Sequence, residues 1–133
     1  MKIIIAEDEQ RAREGLSKLL STISGDYELI AQAANGQTAL EMILRLKPDV
    51  VFTDIKMPFL DGLALIQAVR AQNLSTEFVV ISAYADFELA RQSISLGVME
   101  YILKPVTRED IERTLCRLRQ RIDGGDQNAV SGW

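Results

Sequence analysis

The sequence predicts an α/β fold built on a parallel sheet, and three observations carry that prediction. Short apolar runs recur along the chain, they lack the polar alternation of half-exposed strands, and segments of helical period separate them. Strands covered on both faces by crossover helices read in this way. The runs occupy residues 3–6, 29–33, 50–53, 78–82 and 101–103 and predict five strands.

The intervening helices follow in order. The first carries Ala12, Leu16, Leu19, Leu20 and Ile23 on one stripe, the second Leu40, Ile43 and Leu44, and the third Leu63, Ile66 and Val69. The fourth has a thinner stripe of Phe87, Ala90 and Ile94, between Asp86 as N-cap and Gly97 as C-terminal stop. It is therefore expected to dock least firmly. The fifth opens on Thr107-Arg108-Glu109-Asp110, a capping box with Asp in place of Glu, and is expected to bury Ile111, Leu115, Leu118 and Ile122. Residues 123–133 are rich in Gly and small polar side chains, and are expected to form a flexible linker or tail after a domain of residues 1–122.

Composition narrows the function. A chain of 133 residues, 47% apolar and 26% charged, fits one globular domain. The single cysteine, Cys116, and the absence of histidine remove disulfides, zinc sites and Ser-His or Cys-His triads. The formal charge of −4 argues against a nucleic-acid-binding face. Arg113, Arg117, Arg119 and Arg121 do cluster, but Asp110, Glu112 and Asp123 are interleaved with them, as on a solvated helix face. Neither a signal peptide nor a membrane-spanning run is present, so a cytoplasmic location is expected.

Ligands of an open parallel sheet bind beyond the carboxyl ends of its strands. There the sequence places Glu7-Asp8-Glu9, Asp54, Ser82 and Lys104-Pro105, bringing acids, a hydroxyl and an ammonium to one rim. Clustered carboxylates disfavour each other's ionisation, and a divalent cation compensates them. Magnesium prefers such oxygen ligands, and Glu7, Asp8 and Asp54 with one backbone carbonyl from the following loop would supply them. Asp54, held by the apolar run before it, is the candidate nucleophile towards phosphorus. Lys104 would steady the transferred phosphoryl oxygens and Ser82 would donate a hydrogen bond to one of them. Taken singly, each of these residues reads as a cap, a loop acid or a solvated lysine; their conjunction at four strand ends does not.

These residues lie in motifs that resemble response-regulator receiver domains of two-component systems over residues 1–122. The resemblance rests on Glu7-Asp8, on Asp54-Ile55-Lys56-Met57-Pro58-Phe59-Leu60-Asp61-Gly62, on Ile81-Ser82-Ala83-Tyr84, and on Tyr101-Ile102-Leu103-Lys104-Pro105. It implies a doubly wound, flavodoxin-like sheet of strand order 2-1-3-4-5 with five helices. It makes Asp54 the phosphorylation site, Glu7, Asp8, Asp54 and the Lys56 carbonyl the magnesium ligands, and Ser82 and Tyr101 a switch pair. Ala83 and Lys104 join Ser82 around the phosphoryl group, Lys56 and Tyr84 tune dephosphorylation, and the Lys104-Pro105 bond is usually cis. Glu7 departs from the more usual Asp.

The resemblance further implies a sensor histidine kinase as partner and a phosphorylation-linked homodimer through the fourth helix, fifth strand and fifth helix. It implies no enzymatic turnover beyond the domain promoting its own phosphorylation and dephosphorylation. The stretch from Ser82 to Tyr101 looks most like receivers attached to AraC-type DNA-binding domains, which implies an output domain beyond the linker. Other readings fit less well. An aspartyl phosphatase needs a second acid two residues after the nucleophile, where Lys56 stands, and a flavodoxin-like cofactor carrier would set Glu7, Asp8 and Glu9 against a phosphate. A stand-alone receiver, or one that acts as an interaction module without phosphorylation, stays open.

Overall fold

A computed structural model describes residues 1–123; the expected linker lies outside the described residues except for Asp123, the last residue of the final helix. The elements alternate strictly: β1 (Lys2–Ala6), α1 (Gln10–Ser21), β2 (Glu28–Ala33), α2 (Gly36–Leu46), β3 (Val50–Thr53), α3 (Gly62–Ala71), β4 (Glu77–Ser82), α4 (Phe87–Ser95), β5 (Glu100–Leu103) and α5 (Arg108–Asp123). The strands form one parallel sheet in the order β2-β1-β3-β4-β5. The order reverses between β1 and β3, which opens a crevice beyond their carboxyl ends.

Strand parity divides the core in two, because successive strand side chains face opposite sides. Ile3, Ile5, Val50, Phe52, Val79 and Ile81 meet Leu16 and Leu20 of α1 and Ile111, Leu115 and Leu118 of α5. Ile4, Ala6, Val51, Phe78 and Val80 meet Ala39 and Ile43 of α2 and Leu65, Ile66 and Val69 of α3. The interiors of β1, β3 and β4 are thus apolar on both faces because both faces are covered. Arginines of α5 bind the acids along its edges: Arg117 Nη1 lies 2.6 Å from Glu100 Oε2, and Arg121 Nη2 lies 3.1 Å from Glu77 Oε2.

Three helix stripes differ from the sequence expectation. On α4, Phe87 and Ile94 are 81% and 69% exposed, while Leu89 and Leu96 pack on the core and Ser93 is buried. The Asp86 carboxylate accepts from the N–H groups of Glu88 and Leu89, which sets the helix phase, and Ser93 Oγ donates to Leu89 O at 2.8 Å. A hydroxyl satisfied by its own helix turns inward at little cost, a device that apolar periodicity does not register. On α5, buried Thr114 does the same by donating to Asp110 O, and Ile122 is exposed. On α2, Leu44 is exposed and Ala39 holds an inward position.

The expected capping box of α5 is present. Asp110 N donates to Thr107 Oγ1 at 3.1 Å and Thr107 N to Asp110 Oδ2 at 3.0 Å. The Thr107 N–H, joined by the Thr107 hydroxyl, holds the Asp110 carboxyl below its ordinary pKa. Thr107→Ala is expected to lower unfolding stability by about 1 kcal/mol, read from urea denaturation.

Candidate functional site

Beyond the carboxyl ends of β1, β3 and β5, four charged side chains converge. Asp54 follows β3 directly, with its N–H on Ala6 O at 3.0 Å, and it is 8% exposed. Its Oδ1 accepts from Ile55 N at 2.6 Å and its Oδ2 from Lys104 Nζ at 2.9 Å. The same ammonium reaches Glu7 Oε1 at 2.7 Å, while Glu7 Oε2 accepts from Glu9 N at 3.1 Å. Glu7 is buried and Asp8 is exposed.

Carboxylate oxygens of Glu7, Asp8 and Asp54 lie within 4.8 Å of one another. Two unit charges at that range repel by roughly 3 kcal/mol at an effective dielectric near 20. One lysine does not offset three carboxylates. Burial, assisted by the neighbouring Asp54 charge, raises the Glu7 carboxyl above its ordinary pKa, against the opposing bonds from Lys104 and the Glu9 N–H. Burial works against the Lys104 ammonium, yet its bonds to Glu7 and Asp54 prevail and raise its pKa. The donor set therefore fits a hard divalent cation: several anionic oxygens, one solvent-facing, and residual negative charge.

The remaining predicted site residues form a second arrangement, joined to this cluster where Lys104 N donates to Ser82 O at 2.8 Å. Ser82 ends β4 fully buried, and its Oγ accepts from Tyr84 N at 3.0 Å. Tyr101 on β5 donates its hydroxyl to Tyr84 O at 2.9 Å. The two bonds grip Tyr84 by its N–H and its carbonyl, with exposed Ala83 between Ser82 and Tyr84. The Tyr84 ring in turn carries Lys56 Nζ at 5.7 Å, so the β3–α3 and β4–α4 loops touch across the mouth of the site. The Lys104-Pro105 peptide is cis.

Two glycines shape the loop after Asp54. A Cβ on Gly62 would stand 2.2 Å from Asp54 O, and one on Gly36 would stand 1.8 Å from Leu60 O. Each opens a helix after an Asx cap, Asn35 or Asp61, which is the signal that could have marked it. Within the loop Phe59 holds a left-handed φ of 71°, a conformation that bulky residues adopt only under constraint. Gly62→Ala is expected to cost about 1–3 kcal/mol, because the obstructing atom is backbone and the acceptor loop must shift. Thermal unfolding with magnesium titration checks both halves of that expectation.

An open doubly wound sheet with an acid cluster at its switch point, closed by one lysine, defines an α/β domain fitted for a cation and not a dinucleotide binder, which would need a phosphate-cradling loop there. The chain belongs to the response regulator receiver domain family, whose model matches residues 3–115. It is 39% identical over 114 residues to the uncharacterized transcriptional regulatory protein YesN of Bacillus subtilis, covering 86% of this chain and 31% of that protein. Among solved structures it is similar to the receiver domain of a response regulator NarL from Mycobacterium tuberculosis, with 32% identity, TM-score 0.83, and 90% of this chain and 97% of that one covered. The receiver domain of AraT, a response regulator from Geobacillus stearothermophilus, matches at 32% identity and TM-score 0.83 over 94% and 97% of the two chains. The chain spans about half or less of the length of its curated relatives.

Proposed function

We propose that this receiver accepts a phosphoryl group on Asp54 from a sensor histidine kinase in a magnesium-dependent reaction. The observation that carries the reading is the buried Asp54 carboxylate, bonded by Lys104 Nζ at 2.9 Å and within 4.8 Å of the oxygens of Glu7 and Asp8. Glu7, Asp8, Asp54 and the Lys56 backbone carbonyl would hold the magnesium, which supplies charge neutralisation for the incoming phosphoryl oxygens.

The chain's own groups do the rest. An Asp54 oxygen bonds to phosphorus as the bond from phosphorus to the donor's leaving atom breaks. Lys104 already touches that carboxylate and is placed to bond a phosphoryl oxygen next. Ser82 exchanges its bond from Tyr84 N–H for one to the phosphoryl group. Tyr84 then loses one of its two ties, and the Tyr101 hydroxyl bond is the second to yield. The α4 helix follows, since Phe87 and Ile94 leave its outer face without core packing. Ala83 lies beside the phosphoryl site, and Lys56 and Tyr84 flank its opening and tune the loss of phosphate.

An apolar cavity of about 650 Å³, lined by Leu16 and Leu19 of α1 together with Ile81, Pro105 and Val106, borders Glu7 and Lys104. Phosphorylation would favour a homodimer through α4, β5 and α5, where Phe87, Ile94 and Leu103 are exposed. Residues 1–122 would be the receiver unit and 123–133 the linker to an AraC-type output domain that binds DNA. The receiver itself would not touch nucleic acid, because Arg113, Arg117 and Arg121 face Glu100 and Glu77. The receiver would act in the cytoplasm; no described helix is long and apolar enough to cross a membrane.

Incubation with acetyl phosphate, followed by intact mass, tests the reading. A gain of one phosphoryl group that needs magnesium and is labile to hydroxylamine is expected. No gain from acetyl phosphate or from a histidine kinase would favour the interaction module that works without phosphorylation.

A further inference from the structure

The turn that carries the acids spans three residues between β1 and α1, and it lacks the usual means of support. Glu9 is the N-cap of α1, yet its side chain makes no capping bond. The turn is instead held from the neighbouring strand, where Glu7 N donates to Ala33 O at 3.0 Å, from within, and from one residue further along the helix. Glu9 N donates to Glu7 Oε2 at 3.1 Å, which engages the same carboxylate that would face a cation. The other ties come from Arg13. Its backbone N–H donates to Glu9 O at 2.9 Å, and its guanidinium Nη1 donates to Glu7 O at 2.8 Å. A long helical side chain leans towards the N-terminus of its helix, and this one reaches back over the first turn to the strand end.

We infer that Arg13 is a positioning residue for the cation-binding acids: its guanidinium grips the carbonyl of Glu7 and ties the backbone just before Asp8 to the first turn of α1, whose bond from Arg13 N–H to Glu9 O any residue there would make. The inference rests on the reading that Glu7 and Asp8 hold the metal. The tie from the Glu7 carboxylate competes with metal binding, because an oxygen that turns to a cation leaves the Glu9 N–H. The guanidinium tie does not compete, since it holds a carbonyl. It keeps the turn in place while the carboxylates change partners. Asp8, exposed and without burial to steer it, depends most on that backbone. Ala12, Leu16 and Leu19 line the apolar cavity and Arg13 is not among its lining residues, so the guanidinium serves the acid turn and not that groove.

A charge-only role predicts the opposite sign. Arg13 sets a positive charge close to the acids, and charge alone would repel a second cation, so its removal would tighten magnesium binding. Positioning predicts that removal weakens it. Magnesium titration by calorimetry on the whole chain separates the two. Arg13→Met is expected to bind magnesium about tenfold more weakly, the low end of what loss of an outer support costs a metal site. Arg13→Lys, which keeps the charge and one reaching donor, is expected to recover part of that loss. With acetyl phosphate, the magnesium concentration for half-maximal labelling should rise in Arg13→Met while the rate at saturating magnesium holds.

Metal-free melting temperatures control for a general loss of fold. If Arg13→Met melts far below the wild type, Arg13→Gln takes its place under the same criterion. Wild-type affinity or tighter binding in the neutral variant would overturn the inference while leaving the site reading intact. A wild type that takes up no magnesium would overturn the site reading and this inference together.

Discussion

Asp54→Asn is expected to take up no phosphoryl group under any magnesium concentration while folding at least as stably as the wild type. The two halves have separate causes. An amide oxygen is a poor nucleophile towards phosphorus, and the other acids stand elsewhere: Asp8 is exposed, and both oxygens of Glu7 are engaged, one by Lys104 and one by the Glu9 N–H. Stability is spared because Asn is close in size to Asp and removes one of three carboxylates whose oxygens lie within 4.8 Å. Its carbonyl oxygen can keep the bond from Ile55 N. Relief of like-charge repulsion is set against a weaker bond from Lys104, so the urea midpoint should rise or stay level. A variant that still gains one phosphoryl mass would transfer the acceptor role to another residue. A variant that falls in stability by several kcal/mol would mean that the Asp54–Lys104 pair outweighs the repulsion it sits among.

Much of this site was legible because a parallel sheet delivers its strand ends to one rim. The apolar runs located every strand to within one residue, each of the misses being a polar first residue: Lys2, Glu28, Glu77 and Glu100 pair through the backbone while their side chains carry no apolar signal. The acids after β1 and β3 and the lysine after β5 followed from those ends. The interactions that escaped sequence reading share a cause. Arg13 grips the carbonyl of Glu7, Arg70 donates to the carbonyls of Thr76, Leu96 and Gly97, and Gly62 makes room for the carbonyl of Asp54. Carbonyls are the same at every position, so their partners leave no pattern in the side-chain sequence. The phase of α4 escaped for a related reason, since Asp86 and the inward Ser93 hydroxyl set it and apolar spacing does not.

Lys104→Met is expected to show how far the ammonium and a metal share the same carboxylates. In the metal-free protein Lys104 is the cation between Glu7 and Asp54, bonded to both. Removing it leaves those carboxylates facing each other with their repulsion unopposed. The lysine is a quarter exposed, so water screens part of the loss, and about 1–2 kcal/mol of destabilisation is expected where a fully buried pair would lose more. Magnesium should then restore more stability to the variant than it adds to the wild type, because binding to the folded state alone stabilises by mass action and the cation no longer meets a competing ammonium. Labelling by acetyl phosphate should nevertheless slow on the order of a hundredfold, as when a preorganised donor to a charged transition state is lost. Tighter metal binding with slower transfer is a combination that a general loss of fold does not produce. Equal magnesium stabilisation of both proteins would instead show that the lysine and the metal occupy the carboxylates independently, and Lys104 would then act on the phosphoryl oxygens alone.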